Sequence, residues 1–358
     1  MPGHDAAEAP PGMPSGRLSD DEALALLEGA DLLELGARAD AVRRALHPGD
    51  AVTFIVDRNI NYTNVCVSGC RFCAFYRAPG DPEAYVLSEA EIHAKVAETL
   101  ALGGTAVMMQ GGLHPDLDIT WYERLLRGIK ERFTVHIHSL SPPEVAHIAA
   151  VSGLSVEATL RRLHAAGLDS LPGGGAEVLV DRVRRAVSPH KISAAGWLDV
   201  MRTAHRLGLP GTATMMFGSR DTAAERVAHL HAVRDLQDET GGFTAFIAWT
   251  FQAGNTDLER GHLPATGQDY LRLLAVARLY LDTIRNVQAS WVTQGLRLGQ
   301  VSLAFGANDM GSTMIEENVV RAAGVSHRIT VDEMVALIRA AGRTPVQRDT
   351  LYREVRRF

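Results

Sequence analysis

A closed (β/α)8 barrel of the TIM type, preceded by N-terminal helices, is the α/β fold class that this 358-residue sequence predicts, and three observations predict it. Short β-type runs alternate with amphipathic helical patterns, which implies parallel βαβ units. Eight such runs suit a closed ring better than an open doubly wound sheet. The polar and glycine-rich segments all follow strands, so they collect at the C-terminal mouth, where barrels of this kind place their active sites.

Taken in order, residues 1–16 (MPGHDAAEAPPGMPSG) are rich in Pro, Gly and Ala without apolar periodicity, and a disordered tail is expected there. Residues 17–50 read as a helical segment. Ser19 is placed to cap DDEALALLEGA, and a second helical pattern runs through Leu46. From residue 51 to 358 the barrel is expected, with strands near 52–58, 105–110, 134–138, 168–171, 211–216, 243–250, 286–292 and 301–305. Helical patterns separate them, such as SEAEIHAKVAETLALG and TAAERVAHLHAVRDLQDETGG, the latter closing on a glycine pair. A C-terminal helical extension follows, and the basic end around Arg353, Arg356 and Arg357 reads as a solvated helix terminus.

Composition excludes several classes of function. A formal net charge of −6, with no basic run interleaved with aromatics, gives nucleic acid nothing to bind. No apolar stretch approaches the roughly 18–20 residues that span a bilayer, so no membrane role is expected. The N-terminus lacks a basic-then-apolar signal pattern, and unpaired cysteines suit a reducing compartment, so a cytoplasmic protein is expected.

All three cysteines lie in one stretch, CVSGCRFC, as Cys66, Cys70 and Cys73. Disulfides need an even count, and four-ligand zinc sites usually bring a second Cys or His pair. Three thiolates on one loop suit an iron–sulfur cluster that leaves one iron without a protein ligand, open to chemistry. The alternative is a non-catalytic module, either an electron-transfer cluster with a fourth protein ligand or a structural Cys3His zinc site.

The C-x3-C-x2-C spacing, with Phe72 directly before the last cysteine, resembles the signature of the radical S-adenosylmethionine (SAM) superfamily. The wider segment NYTNVCVSGCRFCAFYR, residues 61–77, resembles the cyclic dehypoxanthinyl futalosine synthases, the dehypoxanthine futalosine cyclases of menaquinone biosynthesis. QGGLHPDL from Gln110, HIHSLSPPE from His136, DSLPGGGAE from Asp169, TMMFG from Thr214 and WTFQAGNT from Trp249 extend the resemblance to the C-terminus. It implies a [4Fe-4S] cluster on Cys66, Cys70 and Cys73, SAM as cofactor, and an external one-electron reductant such as flavodoxin or ferredoxin. The small-molecule substrate it implies is dehypoxanthine futalosine, cyclised after removal of the ribose C4' hydrogen. Aminofutalosine synthases and deazaflavin-forming synthases carry the same loop and are the sister readings.

Individual residues then acquire candidate roles. Gly111 and Gly112 stand where many radical SAM proteins have Gly-Gly-Glu, whose backbone receives the SAM amino group; Leu113 replaces the Glu, and Gln110 could supply the missing polar group. Glu177 of PGGGAE could accept the SAM ribose hydroxyls, or could simply open the next helix with a favourable charge. Phe72 is counted with the cofactor contacts. Strand periodicity turns Thr134, His136 and His138 inward, and His138 is a candidate acid or base. Arg77, the guanidinium nearest the cysteines, could bind a benzoate carboxylate, with His114 a comparable choice. Tyr62 is grouped with these catalytic candidates. Asn61, Asn64 and Tyr76 are brought near the iron site by connectivity, though any of these could instead satisfy loop backbone. Met108, Met109, Met215 and Met216 read as barrel packing.

Overall fold

The structure is a computed structural model that describes residues 16–259, 263–325 and 327–358. Except for Gly16, the tail expected over 1–16 lies outside the described residues. Two helices come first, α1 (Asp20–Gly29) and α2 (Leu32–Leu46). Ser19 caps α1 as expected, in a reciprocal box with Glu22 that satisfies two backbone donors at once. Arg272 ties α1 to the barrel by donating to the Leu26 and Ala30 carbonyls.

The barrel strands are β1 (Ala51–Ile55), β2 (Asp57–Ile60), β3 (Ala106–Met109), β4 (His136–Ser139), β5 (Gly211–Phe217), β6 (Phe243–Thr250), β7 (Asn286–Gln288) and β8 (Asp309–Ser312). β1 and β2 form one staved strand interrupted at Val56. Parallel pairing runs from β2 through β3 to β4, and from β5 through β6, β7 and β8 back to β1. Single bridges, His138 to Ser170 and Leu171 to Gly211, close the remaining gap and complete the ring. The strand expected at 168–171 is therefore reduced to two residues. Pro172 follows at once and has no N–H to continue a ladder.

The last strand departs from expectation. Residues 301–305 are helical or turn, and Phe305 packs against Gly36 of α2. The eighth strand is instead Asp309–Ser312, polar at both ends because Asp309 serves a buried ion pair. Alternation of apolar and polar residues cannot reveal such a strand.

The chain end also differs. After helices Val319–Ala322 and Val331–Ala340 come β9 (Thr344–Arg348), parallel to β1, and β10 (Glu354–Arg357), antiparallel to β9. The basic terminus is thus an exposed edge strand, not a helix end, and its charges keep that edge solvated. β9 pairs with Ala51–Phe54, the start of the first strand, so the turn at 348–352 enters the barrel from beneath. There Arg348 meets Asp309 through two bonds of 2.5 and 2.9 Å and lies 3.8 Å over the Tyr352 ring. No helix among the described residues is long and apolar enough to cross a membrane.

Candidate active site

β2 runs straight into the cysteines. Residues 61–77 fold back on themselves, with the Arg77 N–H donating to the Asn64 carbonyl (2.8 Å) and the Cys66 N–H to the Arg77 carbonyl (2.9 Å). Donors surround the sulfurs: the Ser68 N–H lies 3.4 Å from Cys66 Sγ, Ser68 Oγ lies 3.2 Å from Cys70 Sγ, and the Phe75 and Tyr76 N–H groups bond Cys73. Burial pushes the Cys70 and Cys73 thiols up, against these bonds and the nearby Lys191 ammonium. Metal binding would reverse that, since bound cysteine is thiolate. Among the described residues no three His, Cys, Asp or Glu side chains converge as a single ion requires. A multi-iron cluster takes its thiolates on separate irons and makes no such demand.

Lys191 links this loop to the strand-four turn. Its ammonium lies 2.7 Å from Glu177 Oε1 and 4.9 Å from the centre of the Phe72 ring. Burial alone would lower its pKa, but the Cys70 and Glu177 charges outweigh burial and raise it. Glu177 Oε2 accepts from Arg184 at 3.2 Å, and the residue lines the central cavity. The following helix begins at Asp181, so the first-turn role considered for Glu177 belongs to Asp181.

The two glycines after β3 serve close approach. A Cβ on Gly112 would stand 2.1 Å from the Val65 carbonyl oxygen and 2.8 Å from Cys66 Cβ, and one on Gly111 would strike the Tyr62 ring. The Gly111 N–H donates to Glu144 (2.9 Å) and the Gly112 N–H to Thr63 (3.0 Å). Their carbonyls accept no hydrogen bond among the described residues and are open to a donor.

The three residues expected to serve catalysis sit in three different settings. Tyr62 is 1% exposed, and its hydroxyl donates to Glu144 (2.7 Å) beside Tyr122, away from the cavity. Arg77 spends its guanidinium on Glu83 (2.7 Å) and on the carbonyls of Ala74, Phe75 and Tyr76, so it braces the loop and does not face the cavity. His138 does line the cavity, with Nδ1 2.6 Å from Ser170 Oγ, but burial drives its pKa down to about 3. Burial thus favours its neutral form, which bonds Ser170. Asn61 and Asn64 satisfy backbone groups, and His114 Nδ1 accepts from the Asp116 N–H.

Two residues escaped the sequence reading. Glu144 sat in a recognisable capping box, Ser-Pro-Pro-Glu, but its bonds to Gly111 and Tyr62 are tertiary. Lys191 belongs to no local motif. The cavity these elements enclose holds about 290 Å³, with Gln110, Gly174 and Glu177 towards the cysteine side and Trp249 and Trp291 on the facing wall.

Residues 60–233 match the Radical SAM superfamily, and residues 240–357 match the CofH/MqnC C-terminal region. A cyclic dehypoxanthine futalosine synthase of Halalkalibacterium halodurans is 50% identical over 343 residues, covering 96% of this chain and 92% of that protein. The chain belongs to the radical SAM superfamily. A 5-amino-6-(D-ribitylamino)uracil–L-tyrosine 4-hydroxyphenyl transferase of Methanococcoides burtonii is 44% identical over 350 residues, covering 95% and 97%. Among solved structures, methylornithine synthase shares the fold with a TM-score of 0.73 at 20% identity, covering 92% of this chain and 95% of that one. As a radical SAM enzyme the protein uses a [4Fe-4S] cluster and SAM. The donor-ringed thiols and the open glycine carbonyls fit both groups.

Two outcomes test this radical SAM site. Gly112→Ala should displace the cysteine loop and lower iron and sulfide content at least several-fold after reconstitution; full cluster loading would contradict the close contact. For His138 the folded pKa of about 3 lies below the ordinary 6.5. The unfolded chain therefore binds the extra proton between these values, and the residue's contribution is complete above pH 6.5 and lost as pH falls towards 3. His138→Gln should flatten the acid loss of denaturant-measured stability by up to about 1.4 kcal/mol per pH unit. An unchanged slope would show that the imidazole is freely protonated.

Proposed function

We propose that this enzyme converts dehypoxanthine futalosine to cyclic dehypoxanthine futalosine in menaquinone biosynthesis. The observation that carries the reading is the 50% identity to a synthase of that name across nearly the whole of both chains, above the 44% to the tyrosine transferase. In this reading Cys66, Cys70 and Cys73 hold the cluster. The Gly111 and Gly112 carbonyls accept from the SAM ammonium, Glu177 accepts from its ribose hydroxyls, and Phe72 lies against the cofactor.

Bound together, cluster and SAM supply a carbon-centred radical able to remove an unactivated hydrogen. The net change in the substrate is loss of the ribose C4' hydrogen atom, formation of a bond from C4' to the benzoate ring, and loss of one ring proton and one electron, a two-electron oxidation for which SAM would be the oxidant, leaving as 5'-deoxyadenosine and methionine. The chain contributes orientation. A primary radical takes a hydrogen only from an atom held near contact, so the cavity wall selects which one reacts. His138, held neutral, offers a hydrogen bond without competing for protons. Electrons come from an external one-electron reductant such as flavodoxin or ferredoxin, and a reducing cytoplasm keeps the three thiols unpaired.

Anaerobic incubation with SAM, a reductant and C4'-deuterated dehypoxanthine futalosine should give the cyclic product with deuterium in the methyl group of 5'-deoxyadenosine. Label retained in the sugar would refute the reading. So would turnover of tyrosine with 5-amino-6-(D-ribitylamino)uracil, or of 3-[(1-carboxyvinyl)oxy]benzoate, in place of this substrate.

A further inference from the structure

The turn that enters the barrel from beneath carries polar atoms with nothing to bond. Among the described residues, the buried unpartnered side-chain atoms include Asn59 Oδ1, Thr350 Oγ1 and Tyr352 OH, and all three residues line the central cavity. Leaving such atoms unpaired costs stability, so a fold that gathers three of them at one cavity has kept them for something that enters it. Tyr352 is also held at φ +62, a left-handed conformation that bulky residues rarely adopt. The turn is built to hold it there. Asp349 Oδ1 accepts from the Leu351 and Arg353 N–H groups, the Tyr352 N–H donates to the Asp349 carbonyl, and the Arg348 guanidinium covers the ring.

The charges choose the ligand. Asp57, on the same strand face as Asn59, lines this region and accepts from the Ser312 hydroxyl. Burial lifts its pKa to about 6, which leaves it largely ionised at neutral pH. Arg348, a nearby cation, is already neutralised by Asp309. Buried Arg278, close enough to act on Tyr352, spends its guanidinium on the Gly306 and Arg285 carbonyls and on Asn308 Oδ1, so its charge offsets that of Asp57 and neither cation is free to take up a carboxylate. Asp57 and Asn59 Oδ1 only accept, whereas the Thr350 and Tyr352 hydroxyls both donate and accept. A ligand that satisfies this set must be rich in donors and neutral, as a ring bearing neighbouring hydroxyls is.

We propose that Asp57, Asn59, Thr350 and Tyr352 form a hydroxyl-recognition subsite that binds the sugar ring of the substrate. The assignment rests on the cyclase reading and gives its substrate a direction. The same cavity is lined by Glu177, which the cyclase reading places against SAM, so a sugar held here shares one space with the cofactor. The benzoate then turns towards the wall of Trp249 and Trp291, where an aryl ring finds apolar and aromatic surface.

A cycle between protein and substrate hydroxyls tests this in the reconstituted enzyme with SAM bound. Binding is measured by anaerobic calorimetry for dehypoxanthine futalosine and for deoxy analogues that each lack one ring hydroxyl. Tyr352→Phe should weaken the parent compound about 5- to 20-fold while leaving SAM affinity and iron content unchanged. At least one deoxy analogue should bind the wild type correspondingly weakly yet lose little more in the variant, because the partner hydroxyl is already gone. Thr350→Val provides the same cycle should Tyr352→Phe fold poorly. Strictly additive losses for every analogue with both variants would overturn the subsite and show that water alone occupies it, while leaving the cyclase reading intact. Failure of the wild type to bind or cyclise the parent compound would overturn the cyclase reading and the sugar assignment with it.

Discussion

A single buried carboxylate, Glu144, holds the mouth of the barrel together. It is 3% exposed, and its two oxygens accept from the Gly111 N–H (2.9 Å), the Tyr62 hydroxyl (2.7 Å), and the Ser141 N–H and hydroxyl (2.8 and 2.5 Å). An unpaired carboxylate in that position would cost several kcal/mol and would take up a proton instead. Burial does push its pKa up, and the four donors work against that push. The result joins the start of the cysteine loop, the glycine turn after β3 and the helix Pro142–Val151. Because Gly112 lies within contact of Val65 and Cys66, the position of the first thiol follows from the position of Glu144.

From that anchor the site divides into a charged half and a neutral half. On the cysteine side Lys191, Arg184 and Glu177 form a buried network in which Lys191 stays protonated through its anionic neighbours. A cation beside Cys70 stabilises thiolate, as a cluster requires. On the other side Arg348 is spent on Asp309 and Arg278 on two carbonyls and Asn308, and hydroxyls, amides and Asp57 face the cavity. This asymmetry suits a reaction whose difficult chemistry belongs to the cofactor and whose selectivity depends on which substrate atom is held nearest.

Much of this was legible in the sequence, for reasons that differ by element. β6 was expected at 243–250 and is found there, because a long β-branched and aromatic run bounded by glycines leaves little choice. The helix Ala223–Thr240 was legible from its Thr222 and Glu225 box and its closing Gly241 at φ +64. β8 was not, since a strand made of Asp, Met, Gly and Ser serves an ion pair formed with a residue 39 positions later. Tyr62 and Arg77 were assigned to catalysis from nearness along the chain, which carries no information about the direction of a side chain. Lys191 and Tyr352 left no local signal at all. Their roles depend on elements that meet only when the ring closes and the C-terminal hairpin slides beneath it.

The central claim is that the loop of Cys66, Cys70 and Cys73 holds a cluster with one iron left to SAM. Electron paramagnetic resonance of the reconstituted, reduced protein, recorded with and without SAM, tests it most directly. The account predicts a four-iron signal whose g-values shift when SAM binds, and the loss of that signal when any one of the three cysteines is replaced by Ala. A tightly bound zinc ion, or a cluster signal indifferent to SAM, would contradict it.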